Sequence, residues 1–308
     1  MSAISVKNLS KKFGKFSAVK NISFDVSEKR VVGFLGPNGA GKTTTIRMIV
    51  GLSKPTDGSI KISDETIVFG NSSLNNLFGY LPEQPAFYGW MKASEYLSFI
   101  SKTFGLTDIE SKKRIFELLE LVNLTDAREK RIATYSNGMK QRLGIAQALI
   151  NDPKILILDE PVSALDPIGR KDVLHIIQKL KKDKTIFLST HILSDVDRIC
   201  DDVVIINHGN IVANSSLADL KKKYAKSILS VEFDSDPSEL ITRLKSENWV
   251  LKAESDDLSA KIWLKDGEAM KNNLPLKFLA KEKIGICSYG IKLPETEDLF
   301  LDLVKEDK

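Results

Sequence analysis

Three short apolar runs in the first 200 residues predict buried strands. They are VVGFL at 31–35, ILIL at 155–158 and KTIFLST at 184–190. Continuous apolar runs of this length are typical of interior strands in a parallel sheet. Polar residues or glycines follow each run, and the carboxyl ends of parallel strands lie at one edge of a sheet. The pattern therefore predicts an α/β fold with functional residues along that edge.

A helical region is predicted in the middle of the chain. Residues 107–110 read TDIE, which has the form of a capping box. The apolar residues Ile115, Leu119 and Val122 follow at the i, i+4 and i+7 spacing of one helix face. Together with a second helix-compatible stretch around residue 140, this pattern predicts a helical subdomain over about residues 86–152.

The last part of the chain has a different pattern. The basic hydrophilic run LKKKYAK separates it from the rest. Strands and helices then alternate, with ILSVEF, WVLKAE, AKIWLK and IGICSY as strands and a helix that starts at Pro237. We therefore expect two domains, 1–220 and 221–308, of which the second is a small α+β module of ferredoxin-like type without a catalytic constellation.

Composition and charge exclude few classes of function. The chain has 308 residues, of which 42% are hydrophobic, and this is enough for a substantial core. Its net charge of +4 is too small to indicate nucleic-acid binding. Neither a secretory signal nor the ~20 apolar residues of a spanning helix is found, so a membrane role needs a partner chain. Cys200 and Cys287 lack metal-ligand spacing, and we expect both to be buried and inert.

A glycine-rich loop follows the first predicted strand and matches the phosphate-binding pattern G-x-x-x-x-G-K-[ST]. Strand, loop and helix-compatible segment occur in the required order. Glycines allow the backbone N–H groups and the helix N-terminus to face an anion. Lys42 is expected to contact the β- and γ-phosphates of a nucleotide, and Thr43 is expected to bind Mg²⁺. The predicted nucleotide-binding residues of this loop are Gly36, Pro37, Asn38, Gly39, Ala40, Gly41, Lys42, Thr43 and Thr44.

The other two strands end in further candidate residues. Asp159 and Glu160 follow ILIL, and two adjacent carboxylates that point in alternate directions can have different roles. Asp159 is expected to support Mg²⁺, and Glu160 is expected to act as general base for the attacking water. His191 ends the third strand and is expected to contact the γ-phosphate. Lys42, Glu160 and His191 form the predicted catalytic set.

Taken in order, these segments resemble the motifs of the ATP-binding cassette (ABC) ATPases. The matching segments are GPNGAGKT at 36–43, YSNGMKQR at 135–142, ILILDEP at 155–161, SALD at 163–166 and the histidine of STHIL at 191. The resemblance covers about residues 3–220 and is strongest to ATP-binding subunits of the drug, antibiotic and ion exporter branch. PETEDLFLDLV at 294–304 is similar to the closing helix often found in that branch.

The resemblance implies a fold and several roles that spacing does not show. The fold is a P-loop NTPase (RecA-like) core with a mostly parallel sheet, an antiparallel β subdomain and a helical signature subdomain. Phe13 matches the aromatic position that stacks on adenine. Ser136, Asn137 and Gly138 match the signature loop, and Asp166 matches the loop that communicates between two nucleotide sites.

The resemblance also implies ligands and partners. ATP and Mg²⁺ are the expected cofactors. A second nucleotide-binding subunit, as a homodimer or heterodimer, is expected to meet the first head to tail. Each ATP then lies between the glycine-rich loop of one subunit and the signature of the other, whose helix N-terminus attracts the γ-phosphate. A separate transmembrane permease is expected to hold the protein on the inner, cytoplasmic face of the cell membrane, and no nucleic-acid partner is expected.

Two positions depart from the family pattern. The signature usually reads Ser-Gly-Gly, and here Asn137 replaces the first glycine. Because asparagine tolerates left-handed backbone conformations, we expect the turn to form and the site to be weakened or tuned. Family members often place glutamine directly after Tyr-Leu-Pro, where this chain has Glu83 and then Gln84. A carboxylate can also bind Mg²⁺, so Glu83 is the predicted metal ligand and Gln84 the alternative.

Other functions are compatible with ABC motifs. A soluble ABC ATPase that acts on DNA carries long coiled coils, but the stretch between Lys42 and Ser136 has no sustained heptads. A ribosome-associated ABC protein normally holds two cassettes, whereas this sequence has one set of motifs. An inactive regulatory cassette is disfavoured because Lys42, Asp159, Glu160 and His191 are all present. We therefore predict an ATP-hydrolysing transporter subunit, with soluble action on DNA or ribosomes as the alternative.

Overall fold

The computed structural model describes residues 2–71, 74, 76–163, 165–223, 228–265, 268–282 and 284–292. The strands are β1 (Ser2–Phe13), β2 (Phe16–Ser27), β3 (Val31–Leu35), β4 (Asp57–Ile62), β5 (Glu65–Thr66), β6 (Phe78–Leu81), β7 (Ile155–Leu158), β8 (Thr185–Thr190), β9 (Asp202–Asn207), β10 (Asn210–Ser216), β11 (Ile228–Phe233), β12 (Val250–Asp256), β13 (Ser259–Leu264) and β14 (Ile286–Lys292). The helices are α1 (Lys42–Ile49), α2 (Ala93–Thr103), α3 (Asp108–Leu121), α4 (Asn137–Ala148), α5 (Pro167–Leu180), α6 (Leu193–Ile199), α7 (Leu217–Lys223), α8 (Ser238–Leu244), α9 (Glu268–Lys271) and α10 (Leu274–Leu279). The predicted closing helix at 294–304 lies outside the described residues.

A mostly parallel sheet forms the centre of the first part of the chain. Its strand order is β10-β9-β3-β8-β7-β6, and all neighbours are parallel except β10 and β9. The three predicted strands are β3, β7 and β8, and every residue in them is buried. Because β3, β8 and β7 are neighbours and parallel, the segments that follow them begin at one edge of the sheet, as predicted.

An antiparallel sheet covers this parallel sheet on one side. Its strand order is β2-β1-β4-β5, and β1 and β2 form a long hairpin. The two sheets share one hydrophobic core, in which the rings of Phe24, Phe34 and Phe187 lie 5.4–5.7 Å apart between centroids. Aromatic pairs at this spacing add to the stabilisation that comes from apolar burial. The core therefore fixes the β1–β2 hairpin against the strand that carries the glycine-rich loop.

The predicted helical region contains α2, α3 and α4. The capping box at the start of α3 is formed, because the Thr107 hydroxyl accepts from the backbone N–H of Glu110 and Glu110 accepts from that of Thr107. Ile115, Leu119 and Val122 are buried, as the helical spacing predicts. Among the described residues, no helix is both long and apolar enough to span a membrane.

Contacts divide the chain into two compact units, one that ends at Leu217 and one that begins at Ala218. In the second unit, β11, α8, β12, β13, the helices α9 and α10, and β14 follow one another, and the antiparallel sheet has the order β12-β13-β11-β14. This is the ferredoxin-like arrangement that the sequence predicts. The apolar faces of α8 and of the sheet form a separate core.

The prediction for the two cysteines is half wrong. Cys200 is buried beside β3, and burial raises the pKa of its thiol. Cys287 is exposed. The physical reason is that Cys287 does not pack in the hydrophobic core of the second unit, which β14 contacts through Tyr289.

Candidate functional site

The glycine-rich loop bends tightly between β3 and α1. A Cβ atom on Gly36 would lie 2.4 Å from the backbone oxygen of Ile206. Gly41 has φ +110°, and a Cβ there would lie 2.7 Å from the backbone oxygen of Ala18. Both positions therefore require glycine. The bend directs the loop into the N-terminus of α1, where free N–H groups and the helix dipole favour an anion.

Lys42 is nearly buried at the start of α1, with 6% of its surface exposed. Its Nζ donates to the backbone oxygens of Gly36, at 2.8 Å, and Pro37, at 3.3 Å. The same nitrogen lies 3.3 Å from Oε1 of Glu160. The loop thus holds one buried ammonium group. The oxygen atoms that accept its hydrogen bonds could be replaced by the oxygen atoms of a phosphate.

Two carboxylates follow β7, and both are buried. Oδ1 of Asp159 accepts from the hydroxyl of Ser189, at 2.7 Å, and from that of Thr43, at 3.3 Å. Burial raises the pKa of Asp159, and these two donors act in the opposite direction. The next residue, Glu160, has a left-handed backbone with φ +47° and donates its N–H to Ser189 Oγ at 2.8 Å. Ser189 therefore ties the Asp159 carboxylate and the Glu160 backbone to β8.

His191 follows β8 and lies on the other side of Glu160 from Lys42. Its Nδ1 is 2.9 Å from Oε2 of Glu160. The Glu160 carboxylate is thus held between an ammonium group and an imidazole. A carboxylate fixed in this way has a defined orientation toward the space in front of the loop.

These residues line one cleft of about 500 Å³. Phe13, Phe16 and Ala18 form its apolar end. Lys42 lies at its polar end. The other residues that line this end are Asn38, Gly39, Gly41, Thr43, Thr44, Glu83, Glu160 and His191. Most of the residues predicted from the loop and the strand ends are therefore brought together in one place.

The two candidates after Tyr-Leu-Pro are both exposed, but they have different neighbours. Glu83 lines the cleft that contains Lys42 and Thr43. Gln84 lines an adjoining cavity of about 280 Å³, which Glu83, Asn137 and Glu160 also line. Glu83 is also close enough to Asp159 for its negative charge to contribute to the raised pKa of that residue. The geometry thus favours Glu83 at the cleft itself.

The signature residues form the start of a helix and do not line the cleft. The Ser136 hydroxyl is the N-cap of α4 and accepts from the N–H of Met139 at 3.2 Å. Asn137 is the first helical residue, and neither it nor Gly138 has a positive φ. The turn at Ser136 therefore forms without a left-handed backbone at Asn137, because helical geometry begins one residue after Ser136.

Asp166 also caps a helix. Its Oδ1 accepts from the N–H of Gly169 at 3.2 Å, at the start of α5. Asp166 is exposed and, like Ser136, is not among the residues that line the cleft. In a single chain, the signature and this loop therefore stay outside the phosphate end of the cleft.

Sequence reasoning missed two residues of this site. Ser189 lies in a segment that is predicted only as a buried strand. A hydroxyl group near the end of such a strand needs a hydrogen-bond partner, and this need is a signal of a polar contact. Phe16 was not singled out, although it stands three residues after Phe13 across Gly14-Lys15, a spacing typical of a tight hairpin.

The sequence matches the family model described as ABC transporter over residues 19–163. It is 40% identical to the uncharacterized ABC transporter ATP-binding protein YxlF of Bacillus subtilis (strain 168), over 98% of this chain and 99% of that protein. It is 42% identical to the bacitracin transport ATP-binding protein BcrA of Bacillus licheniformis, over 72% of each chain. The linearmycin resistance ATP-binding protein LnrL of Bacillus subtilis (strain 168) is 32% identical, over 97% of each chain.

Solved structures show the same fold. A structure described as the ATP binding subunit of an ABC transporter superposes with a TM-score of 0.66 and 33% identity, over 72% of this chain and 93% of that chain. The ATP-binding cassette MJ0796, in a dimeric post-hydrolysis state bound to ADP and Pi, gives a TM-score of 0.64 and 25% identity, over 70% of this chain and 98% of that chain.

Proposed function

Because this chain belongs to the ABC transporter ATP-binding proteins, we propose that it hydrolyses ATP to drive a membrane exporter. The observation that carries the proposal is the cleft lined by Lys42, Thr43, Glu160 and His191. Asp159 adjoins this cleft, because it accepts a hydrogen bond from Thr43. The relatives named for bacitracin transport and linearmycin resistance favour an exporter of antibiotic-like molecules. We assign residues 1–220 to the nucleotide-binding domain and 221–308 to an accessory domain.

The donor set at the polar end of the cleft fits Mg²⁺. The Thr43 hydroxyl and the Asp159 and Glu83 carboxylates offer oxygen atoms, which this hard cation prefers. Among the described residues, no group of three His, Cys, Asp or Glu side chains could hold a metal by itself. Mg²⁺ keeps several waters and uses one or two carboxylates plus substrate phosphates, so this sparse set is suitable. When bound, Mg²⁺ neutralises charge on the β- and γ-phosphates.

Each catalytic residue has a role that follows from its contacts. Lys42 exchanges its backbone and Glu160 contacts for the oxygens of the β- and γ-phosphates. Glu160 takes the proton from a water molecule as the water oxygen attacks the γ-phosphorus and the bond to the β-phosphate oxygen breaks. His191 holds the second oxygen of Glu160 and so fixes the direction of the base. Ser189 holds the backbone of Glu160 in its left-handed conformation.

A second nucleotide-binding subunit completes the site. The N-terminus of α4, with Ser136, Asn137 and Gly138, carries free N–H groups and no negative charge in its first turn. Such a terminus can bind a γ-phosphate without a charged side chain. ATP then joins the loop of one subunit to the signature of the other, and hydrolysis removes a contact on which the closed dimer depends. The dimeric state of the MJ0796 cassette supports this arrangement.

A permease is the proposed second partner. Tyr88, Trp90 and Phe99 are exposed by 54%, 70% and 46%, and the rings of Trp90 and Phe99 each lie 6.2 Å from that of Tyr88. An exposed aromatic cluster of this kind is typical of a protein interface. We assign it to contact with the membrane subunit, which holds this chain at the cytoplasmic face of the membrane.

The transport assignment can be tested by co-purification. An affinity-tagged chain is isolated from detergent-solubilised membranes, and its companions are identified by mass spectrometry. A companion with several membrane spans is expected in stoichiometric amount. Its yield should fall in the Trp90→Ala variant and stay unchanged in Ile168→Ala, which alters an exposed apolar side chain on α5. Recovery with ribosomes or DNA instead of a membrane protein would overturn the assignment.

A further inference from the structure

Two exposed phenylalanines stand side by side at the tip of the β1–β2 hairpin. Phe13 ends β1, Phe16 begins β2, and the two residues pair directly across the hairpin. The turn between them is Gly14-Lys15, with Gly14 at φ +57°. Directly opposed residues of an antiparallel pair point to the same face of the sheet. The tip of the hairpin thus presents two adjacent rings on one face.

Both rings are unusually accessible for such large apolar groups. Phe13 is 55% exposed and Phe16 is 63% exposed. Most phenylalanine side chains are buried, so two neighbouring exposed rings indicate a surface that binds something. Both line the same cleft as Lys42 and Thr43. The exposed rings therefore face the site that receives the phosphates.

One face of the Phe13 ring is already covered. Nζ of Lys11 lies 5.0 Å from the ring centroid and donates to the backbone oxygen of Lys54 at 2.6 Å. A base can stack only on the opposite face of this ring. The remaining residue at the apolar end of the cleft is Ala18, so a base enters a space bounded by hydrocarbon side chains.

We propose that Phe16 forms the second wall of the base site, so that the base of the nucleotide contacts the rings of Phe13 and Phe16 together. The inference rests on the proposed function, because it assumes that the phosphates bind at Lys42 and Thr43. An aromatic base offers a π-face that any aromatic side chain can contact. Phe16 is thereby a nucleotide-binding residue that contributes to binding of the base and not to hydrolysis.

The test compares ATP with inorganic triphosphate, which has the phosphates but lacks the base. Dissociation constants are measured by calorimetry in EDTA, so that no hydrolysis occurs. In Phe16→Ala, the affinity for ATP should fall by about five- to tenfold, the lower part of the range for base stacking. The affinity for triphosphate should stay the same. Steady-state assays with Mg²⁺ should show a higher KM for ATP and an unchanged kcat.

Substitutions that keep or remove the ring separate stacking from general apolar contact. Phe16→Trp should restore ATP affinity, and Phe16→Leu should not. Phe116→Ala is the matched control, because Phe116 is 56% exposed on α3 and does not line the cleft. It should bind ATP and triphosphate as the parent does.

Three results would overturn the inference. Phe16→Ala could bind ATP as tightly as the parent, or it could lose ATP and triphosphate affinity equally, or Phe16→Leu could match the parent. The proposed function fails separately if the parent chain binds neither ATP nor triphosphate, or if Lys42→Ala leaves both affinities unchanged. In that case the inference fails with it.

Discussion

Ser189 holds the Asp159 carboxylate and the backbone of Glu160 with one hydroxyl group. Its Oγ accepts the N–H of Glu160 at 2.8 Å and donates to Asp159 at 2.7 Å, and the side chain has no solvent-exposed surface. Replacing it with alanine removes both contacts and leaves no room for a replacement water, because only one oxygen atom is lost. The variant therefore isolates the energetic value of this bridge.

The magnitude follows from what each partner retains. Asp159 still accepts from Thr43, so its lost bond costs about 1 kcal/mol. The Glu160 N–H is left without its partner in a buried position, which costs about 1–3 kcal/mol. We expect Ser189→Ala to lower the free energy of unfolding by about 2–4 kcal/mol. Because the base is no longer fixed, kcat should fall by about 10- to 100-fold, the effect of a misplaced catalytic group.

The assay combines urea denaturation, followed by circular dichroism, with phosphate release at saturating ATP. Ser163→Ala is the control, because Ser163 donates one 3.2 Å bond to the Glu160 backbone oxygen from a half-buried position. It should lose less than about 1 kcal/mol of stability. A Ser189→Ala protein with parental stability and parental kcat would refute the role given to this hydroxyl.

Three further predictions concern other parts of the first and second units. Asn137→Gly should tighten ATP-dependent self-association by roughly two- to tenfold, because ~0.5–1.5 kcal/mol is no longer spent on immobilising one side chain; unchanged or weaker association in sedimentation experiments would contradict this. Burial raises the pKa of Asp159 above its value in the unfolded chain, so the ionised carboxylate lowers the free energy of unfolding at neutral pH. This destabilisation disappears as the pH falls through the pKa of the folded state. Asp159→Asn should therefore raise the free energy of unfolding of the nucleotide-free protein by about 0.5–2 kcal/mol while abolishing turnover, and a lower Tm at pH 7.5 would count against the argument. Maleimide at pH 7.5 should label Cys287 and spare Cys200, whose thiol is buried with a raised pKa; protection of Cys287, read by peptide mass, would contradict its exposed position.

The central strands could be predicted because burial on both faces leaves a direct trace in the sequence. β3, β7 and β8 are continuous apolar runs, and parallel neighbours must end at the same edge. The ferredoxin-like unit was predictable because its strands alternate with a helix that begins after Pro237. Cys200 is buried and Cys287 is exposed because of their tertiary neighbours, which a single sequence does not show.

The site was predictable as a set of residues but not as a network. Asp159 lies beside Ser189 because β7 and β8 pair with Leu158 opposite Leu188. No pattern within either segment gives that register. The helical backbone of Asn137 is not predictable from periodicity, because the start of α4 is fixed by the hydrogen bond of the Ser136 cap and not by a pattern of apolar residues. Element boundaries set by such single hydrogen bonds are the part that periodicity does not resolve.

The proposal that ATP joins two copies of the nucleotide-binding unit, and that Glu160 then activates water, makes a direct prediction about Glu160→Gln. The substitution keeps the shape of the side chain and removes the base. The molecular mass of the variant, measured by light scattering with and without ATP and Mg²⁺, is the decisive quantity.

We expect the mass of Glu160→Gln to double when ATP is added and to remain doubled, because the variant binds ATP but does not hydrolyse it. Adding Lys42→Ala to the same variant should abolish the doubling, since Lys42 holds the phosphates. Phosphate release at the parental rate by Glu160→Gln, or a mass that stays monomeric at saturating ATP, would contradict the account.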